Sequence, residues 1–262
     1  MKKLIVSDFD GTLVNKEDEI PTSTVMVIDN LRRKGYKFGI ATGRSIKSII
    51  DYNHDFHFID YIISSNGAYI YDTEKEKVIY KKNILISNVK KIVNRFYDDA
   101  IIYLTDNNTW NLISSESAYE EDYDVIKVDD YDKFIEENKT NIYKIEMYFK
   151  NKDDLKEALD EIEKYNIKVK VNMQINEHRN ILEITHQDVD KFEGLMKVCN
   201  KLKITKDDVI AFGDGYNDIK LIDNVGIGVA VENAVDEVKK VAKDITDSCY
   251  NKGVEKYLKK LD

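Results

Sequence analysis

The sequence predicts an α/β protein whose parallel-sheet core is interrupted by a second, α+β domain. Three observations predict it. Strand and helix patterns alternate over residues 1–82, helix-strand-strand runs replace that alternation over 83–186, and the alternation resumes over 187–262. At about 100–200 residues per domain, a chain of 262 residues accommodates two modest domains.

The first segment opens with Leu4–Phe9, a short β-branched apolar run that ends in an acidic loop and reads as a buried strand. Pro21-Thr22-Ser23-Thr24 starts a helix, with Val25, Ile28 and Leu31 at helical spacing and Gly35 closing it. Tyr36–Ala41 is a second strand, Ser45 to Tyr52 a helix and Tyr61–Ser64 a third strand. This β-α-β-α-β order implies right-handed crossovers between parallel strands. Ala68–Tyr71 and Val78–Tyr80 read as a small hairpin.

In the middle segment, helix Ile86–Tyr97 precedes strands Ile101–Thr105 and Trp110–Ser114. Helix Asp154–Tyr165 precedes strands Lys168–Met173 and Ile181–Thr185, and a further strand, Ile142–Phe149, lies between the two units. The pattern predicts an antiparallel sheet with helices on one face. The acidic stretch Glu120–Asp132 reads as a solvated loop and short strand. The last segment returns to alternation: helix Lys191–Leu202, strand Val209–Phe212, helix Asp218–Ile222, strand Ile227–Val231 and helix Glu237–Ala242.

Composition narrows the partners. Hydrophobic residues make up 42% and charged residues 34%, the mix of a folded globular chain. The net charge of −9 argues against nucleic-acid or membrane-surface binding, which needs a basic face. Asp8 ends the N-terminal apolar run far short of a signal-peptide core, and no stretch approaches the ~20 apolar residues of a membrane span. Cys199 and Cys249 lack metal or redox spacing and fit structural thiols in a reducing compartment. A cytoplasmic protein, monomeric or homodimeric, is expected.

The chemistry concentrates where strands end. Asp8-Phe9-Asp10-Gly11-Thr12 places two carboxylates at the C-terminal end of the first strand, with a glycine that lets backbone approach a ligand. Taken alone it also fits an Asp-rich turn. Thr42-Gly43-Arg44, between the second strand and a helix, offers a hydroxyl and backbone N–H groups to an anion, or an ordinary N-cap. Gly213-Asp214-Gly215-Tyr216-Asn217-Asp218 follows another strand and again pairs carboxylates with glycines. In one parallel sheet, Asp8, Asp10, Asp214 and Asp218 would share an edge. Two bare carboxylates ~4 Å apart repel by roughly 4 kcal/mol at an effective dielectric of about 20, so the cluster needs a cation or shifted pKa values. An all-oxygen set without His or Cys favours Mg²⁺. Beside a hydroxyl, a lysine and helix-end N–H groups, such an ion makes a phosphate site.

These segments, in the order DxDGT, ATGR, Lys191 and GDGxND, resemble the four motifs of the haloacid dehalogenase superfamily, and Ser65-Asn66-Gly67-Ala68 with the insertion resembles its Cof-type phosphatases. The resemblance covers essentially the whole chain. It implies a Rossmann-like core with helices on both faces of the sheet and an inserted cap. It also implies the first- and fourth-motif strands side by side. Asp8 then resembles the nucleophile that forms an aspartyl-phosphate, and Asp10 the general acid and later base. Gly11, Thr42, Gly43 and Lys191 would hold the phosphoryl group. Mg²⁺ would take a carboxylate oxygen of Asp8, the backbone carbonyl of Asp10 and the side chain of Asp214. Asp218 would be a further ligand or an anchor behind the ligands. Arg44, Asn66 and Asn217 would touch substrate or support these groups.

The sequence departs from the family pattern in two places. Asp190 precedes Lys191 where a small residue is usual, with Glu193 and Gly194 following. Glu232-Asn233-Ala234 has Glu where the family has Gly. Substrate choice is expected in the cap, with Arg179 or Asn180 in a turn as one candidate. The expected reaction is hydrolysis of a small phosphorylated metabolite, a sugar phosphate foremost. A phosphomutase or phosphotransferase would use the same carboxylates and differ in the acceptor.

Overall fold

The computed structural model describes residues 4–14, 19–53, 57–106, 109–113, 125–175 and 180–261, of which 51–53 by backbone alone. The chain divides into two compact units, Met1–Tyr80 with Asp190–Asp262, and Lys81–Val189.

The first unit begins β1 (Leu4–Ser7), α1 (Thr22–Arg33), β2 (Lys37–Ala41), α2 (Ile46–Asn53), β3 (Tyr61–Ser64), β4 (Tyr69–Asp72) and β5 (Lys77–Lys81). The second contains α3 (Ile86–Phe96), β6 (Ile101–Thr105), β7 (Trp110–Leu112), β8 (Val125–Lys127), α4 (Tyr131–Glu137), β9 (Lys144–Tyr148), α5 (Lys152–Lys164), β10 (Val169–Ile175) and β11 (Asn180–His186). The chain then completes the first unit with α6 (Lys191–Leu202), β12 (Val209–Gly213), α7 (Ile219–Asn224), β13 (Ile227–Val231), α8 (Asp236–Val241), β14 (Asp244–Thr246) and α9 (Gly253–Leu258).

The core sheet runs β14-β13-β12-β1-β2-β3-β4-β5. It is parallel from β14 through β3, and β4 pairs antiparallel with β3. Every residue of β1 and β12 is buried, as expected of apolar strands inside a parallel sheet. From β1 the chain steps to β2 and β3 in one direction; from β12 it steps to β13 and β14 in the other. Right-handed crossovers with opposite steps put their helices on opposite faces. Accordingly α1 packs with α9, while α7 packs with both α6 and α8. The reversal lies between β1 and β12, the kind of point at which open α/β sheets bind ligands.

The second unit is a six-stranded sheet, β10-β11-β9-β6-β7-β8. The expectation of a wholly antiparallel sheet needs one correction: β7 and β8 pair in parallel. The long connection between them brings the chain back in its original direction, which a hairpin cannot do. Ile102, Leu104, Ile145, Met147, Leu182 and Ile184 face one side and pack with Val89 and Ile92 of α3, Ile135 of α4 and Leu155 and Ile162 of α5. α4 was not expected, because the acidic run before it reads as loop. Asp130 starts it, its carboxylate accepting the Lys133 N–H at 3.0 Å. The proposed turn residue Arg179 lies outside the described residues, whereas Asn180 opens β11. Among the described residues no helix is long and apolar enough to cross a membrane.

Candidate active site

Asp8 follows β1 directly, its N–H donating to the carbonyl of Phe212 on β12 at 2.9 Å. That bond fixes the first aspartate against the strand that carries the second acidic loop. Gly11 then turns the chain with φ +74°, and a Cβ there would lie 2.6 Å from Asp214 Oδ2. Only glycine allows both the left-handed backbone and this approach. Thr12 closes the loop, its hydroxyl donating to Asp214 Oδ1 at 2.7 Å. Thr12 stands inside the first motif but its support of Asp214 was not anticipated.

Lys191 is 1% exposed. Its ammonium donates to Asp8 Oδ1 at 2.6 Å and to Asp218 Oδ1 at 2.7 Å. A lone helical lysine is ordinarily solvated; here burial alone would lower its pKa, but Asp218 and Asp8 outweigh that and hold it charged. Asp190, the departure from the family pattern, caps α6 by accepting the Glu193 N–H at 2.7 Å. Lys220 neutralises the added acid, with contacts of 2.9 Å to Asp190 and 2.8 Å to Glu193. Gly194, displaced in sequence, is where α6 meets β3: a Cβ there would come within 2.6 Å of Ile63 Cγ2.

Asp218 is wholly buried and uses both oxygens. Oδ1 takes Lys191, and Oδ2 accepts the backbone N–H groups of Asp214 at 3.2 Å and Gly215 at 3.0 Å. It therefore anchors the loop whatever else it binds. Carboxylate oxygens of Asp8, Asp214 and Asp218 lie within 4.8 Å of one another. Burial pushes Asp8 well above the usual carboxylate range against the pull of Lys191, with Asp218, Asp214 and Asp10 adding to the rise. Burial and then Asp218 push Asp214 up to about 6. Three carboxylates against one ammonium leave two negative charges, which one divalent cation matches. The all-oxygen donor set fits Mg²⁺.

The Asp10 side chain is elsewhere. It is half exposed and held by Arg44, whose Nε lies 3.0 and 2.9 Å from its two oxygens, with the guanidinium 5.0 Å from the centre of the Phe9 ring. Thr42 is buried; its hydroxyl accepts the Arg44 N–H at 3.0 Å and keeps a proton to donate. Gly43 sits between them at the end of β2. Ser65, Asn66 and Gly67 follow β3 with φ of 48°, 53° and 98°. This left-handed run is held by the Ser65 N–H on the Arg44 carbonyl and the Asn66 N–H on the Thr42 carbonyl, both 2.9 Å. It presents Asn66 Oδ1 to the Asn217 amide at 3.0 Å, so two expected support residues meet. Asn233 also reaches the site despite the Glu232 substitution. Its Nδ2 donates to the Gly11 carbonyl at 2.7 Å, and its Oδ1 accepts the Cys249 N–H at 2.9 Å and the Ser248 hydroxyl at 3.1 Å.

The family model for haloacid dehalogenase-like hydrolases matches residues 5–258. The chain belongs to that family. Among relatives of this hydrolase, a Bacillus subtilis 5-amino-6-(5-phospho-D-ribitylamino)uracil phosphatase is 25% identical, the alignment covering 98% of this chain and 96% of that one. A Bacteroides thetaiotaomicron haloacid dehalogenase-like hydrolase superposes with a TM-score of 0.84 at 25% identity, covering 100% of both chains. A subclass IIB sugar phosphatase of the superfamily superposes with a TM-score of 0.80 at 25% identity, covering 99% and 98%. The enzyme is a haloacid dehalogenase-type phosphatase with a Rossmann-like core and an inserted α+β cap.

Proposed function

We propose that this phosphatase releases phosphate from small phosphorylated metabolites, sugar phosphates foremost, with Mg²⁺ and through an aspartyl-phosphate on Asp8. The observation that carries the reading is the buried carboxylate of Asp8, 2.6 Å from the Lys191 ammonium and grouped with Asp214 and Asp218. In that setting Asp8 attacks phosphorus, the ester oxygen leaves, and a bond forms between phosphorus and a carboxylate oxygen of Asp8. Asp10, released from Arg44 and protonated, gives the leaving oxygen its proton, then takes one from the water that cleaves the acyl phosphate. Lys191, the Thr42 hydroxyl and the backbone of Gly11 and Gly43 hold the phosphoryl oxygens as charge develops. Asp8, the Asp10 carbonyl and Asp214 would hold Mg²⁺, with Asp218 behind them; the ion would offset the negative charge of nucleophile and phosphate. Arg44 orients Asp10, and Asn66 with Asn217 braces the fourth-motif loop.

The inserted domain, read from sequence as 83–186, selects the substrate. The buried thiols of Cys199 and Cys249, free of a disulfide, support a cytoplasmic enzyme. The test is phosphate release from a panel of sugar, polyol and nucleotide phosphates with and without Mg²⁺, for the native enzyme and Asp8→Asn. Mg²⁺-dependent release that vanishes in a folded Asp8→Asn is expected; near-native activity in that variant refutes the mechanism. Formation of sugar-phosphate isomers without phosphate release would make the enzyme a mutase.

A further inference from the structure

A sheet that ends at an exposed strand offers unpaired backbone to another chain, and soluble proteins ordinarily blunt such edges. Three of the four sheet ends here follow that rule. β8 and β14 have three residues each, and β5 carries a lysine at both ends, Lys77 and Lys81. The fourth, β10, does not. It runs for seven residues, Val169–Ile175, and none of them is buried. Among the described residues no strand pairs with its outer edge. The neighbouring ladders show which backbone groups that edge presents. The Phe149 N–H donates to the Asn180 carbonyl, so Asn180, Leu182 and Ile184 direct their backbone groups to β9, and Ile181, Glu183 and Thr185 direct theirs to β10. The partners of the latter three are Gln174, Asn172 and Lys170. The N–H and carbonyl groups of Val171, Met173 and Ile175 therefore point outwards. The side chains of Val169, Val171, Met173 and Ile175 share one face of the strand, and Met173 and Ile175 are 41% and 38% exposed. On that face a groove of about 450 Å³ opens between β10 and α5, lined by Leu159, Ile162, Ile167, Val169, Val171 and Met173.

We propose that β10 pairs antiparallel with β10 of a second copy of this chain, on a two-fold axis through Asn172, joining the two sheets into one. The strand is self-complementary in this register. Its alternation of apolar and polar residues reads the same from either end about Asn172, as an isologous two-fold contact requires. Val171 faces Met173 of the second copy and Val169 faces Ile175, so apolar residues meet on one face. The outward backbone groups of Val171 and Met173 satisfy each other. On the opposite face Asn172 meets its own mate, and Lys170, the strand's only charge, faces Gln174 rather than the second lysine. The axis leaves both α5 helices on the same face of the joined sheet, running in opposite directions. α5 is acidic in its first turn, at Asp153 and Asp154, and basic in its last, at Lys164. The acidic start of each helix thus lies toward the basic end of the other, which also sets their dipoles antiparallel. The two apolar grooves become one seam along the axis.

Sedimentation of the native protein across micromolar concentrations should show a monomer–dimer equilibrium. Met173→Lys, at an exposed position, puts an ammonium into the apolar seam and should raise the dimer dissociation constant about tenfold or more, with the circular dichroism of the monomer unchanged. Asn172→Cys tests the register. Facing residues of a non-hydrogen-bonded antiparallel pair have Cα atoms about 4.5 Å apart, within disulfide reach. Oxidation by copper phenanthroline should therefore give a covalent dimer of Asn172→Cys on a non-reducing gel. Lys170→Cys and Gln174→Cys should crosslink when mixed with each other but not alone. Cys199 and Cys249 are buried, so the native protein supplies the blank. If Met173→Lys does not fold, the crosslinks decide. A native protein that stays monomeric at every concentration overturns the proposal and leaves the edge to a different chain. A dimer unmoved by folded Met173→Lys, or one in which Asn172→Cys does not crosslink, also overturns it, because the copies then meet elsewhere.

Discussion

Replacing Lys191 with Met keeps the length and apolar stem of the side chain and removes only its charge. Asp8 and Asp218 then lose contacts of 2.6 and 2.7 Å while remaining 5% and 0% exposed, with Asp214 alongside. Removing one partner of a buried ion pair typically costs about 3–5 kcal/mol. At about 2 kcal/mol per M, the urea midpoint of the core unit should fall by roughly 1.5–2.5 M at pH 7.5 in EDTA. The sign with pH follows from proton binding. Asp8 and Asp214 already titrate above their unfolded range, and more so without Lys191. A carboxyl whose folded pKa is raised loses stability as pH climbs from its unfolded value through the folded one. The deficit of Lys191→Met against the native protein should therefore be largest at pH 7.5 and shrink towards pH 5. Urea unfolding followed by circular dichroism at both pH values, in EDTA, measures it. A variant within 1 kcal/mol of the native protein at pH 7.5 would show that the cluster does not depend on the lysine, and the reasoning would fail.

Other outcomes follow from the same contacts. Mg²⁺ should raise the melting temperature more at pH 7.5 than at pH 5, because protons occupy Asp214, whose pKa is about 6, and Asp8 at the lower pH; equal shifts at both values in a thermal-shift assay would place the ion elsewhere. Asn233→Asp keeps the acceptor for Ser248 and Cys249 but loses the donor to the Gly11 carbonyl, so kcat should fall about tenfold, roughly the 1.4 kcal/mol expected of one hydrogen bond, with KM little changed in steady-state kinetics. Gly67→Ala puts a Cβ against the Asp190 carbonyl at φ +98° and should cost at least about 1–3 kcal/mol in chemical denaturation; a neutral result would mean that the loop and α6 are not closely packed.

The sequence made the core legible because its strands are uninterrupted apolar runs that end in functional loops. Asp8, Asp214 and Asp218 could be placed at one sheet edge from strand order alone, and the structure groups their oxygens. Lys191 was legible by its position between two motifs, but its burial depends on Asp8 and Asp218, which are distant in sequence. Asn233 stood in a stretch that resembles a family motif, but the Glu at 232 obscured its contact with Gly11; Lys220 left no local signal, because it acts through Asp190 and Glu193 on another segment. α4 was hidden by its acidic surroundings, since only Ile135 of that short helix is buried and its amphipathic pattern is weak. The buried ion pairs of the second sheet were likewise invisible: Lys144, Glu146 and Glu183 alternate with apolar residues as solvent-facing strand positions do, and only the structure buries them.

The position of β1 also fixes when the enzyme can come into being. Its two neighbours are β2, close in sequence, and β12, some two hundred residues later, and the bonds from Thr12 to Asp214 and from Gly11 to Asn233 span the same gap. During synthesis, residues 81–189 emerge as a continuous segment with all the strands of their own sheet. β1 meanwhile waits with one edge unpaired, an open template for misassociation. The nascent chain thus carries its nucleophile from the start but gains a site only when the final third arrives, so termination ahead of Asp214 leaves the nucleophile without its acidic partners.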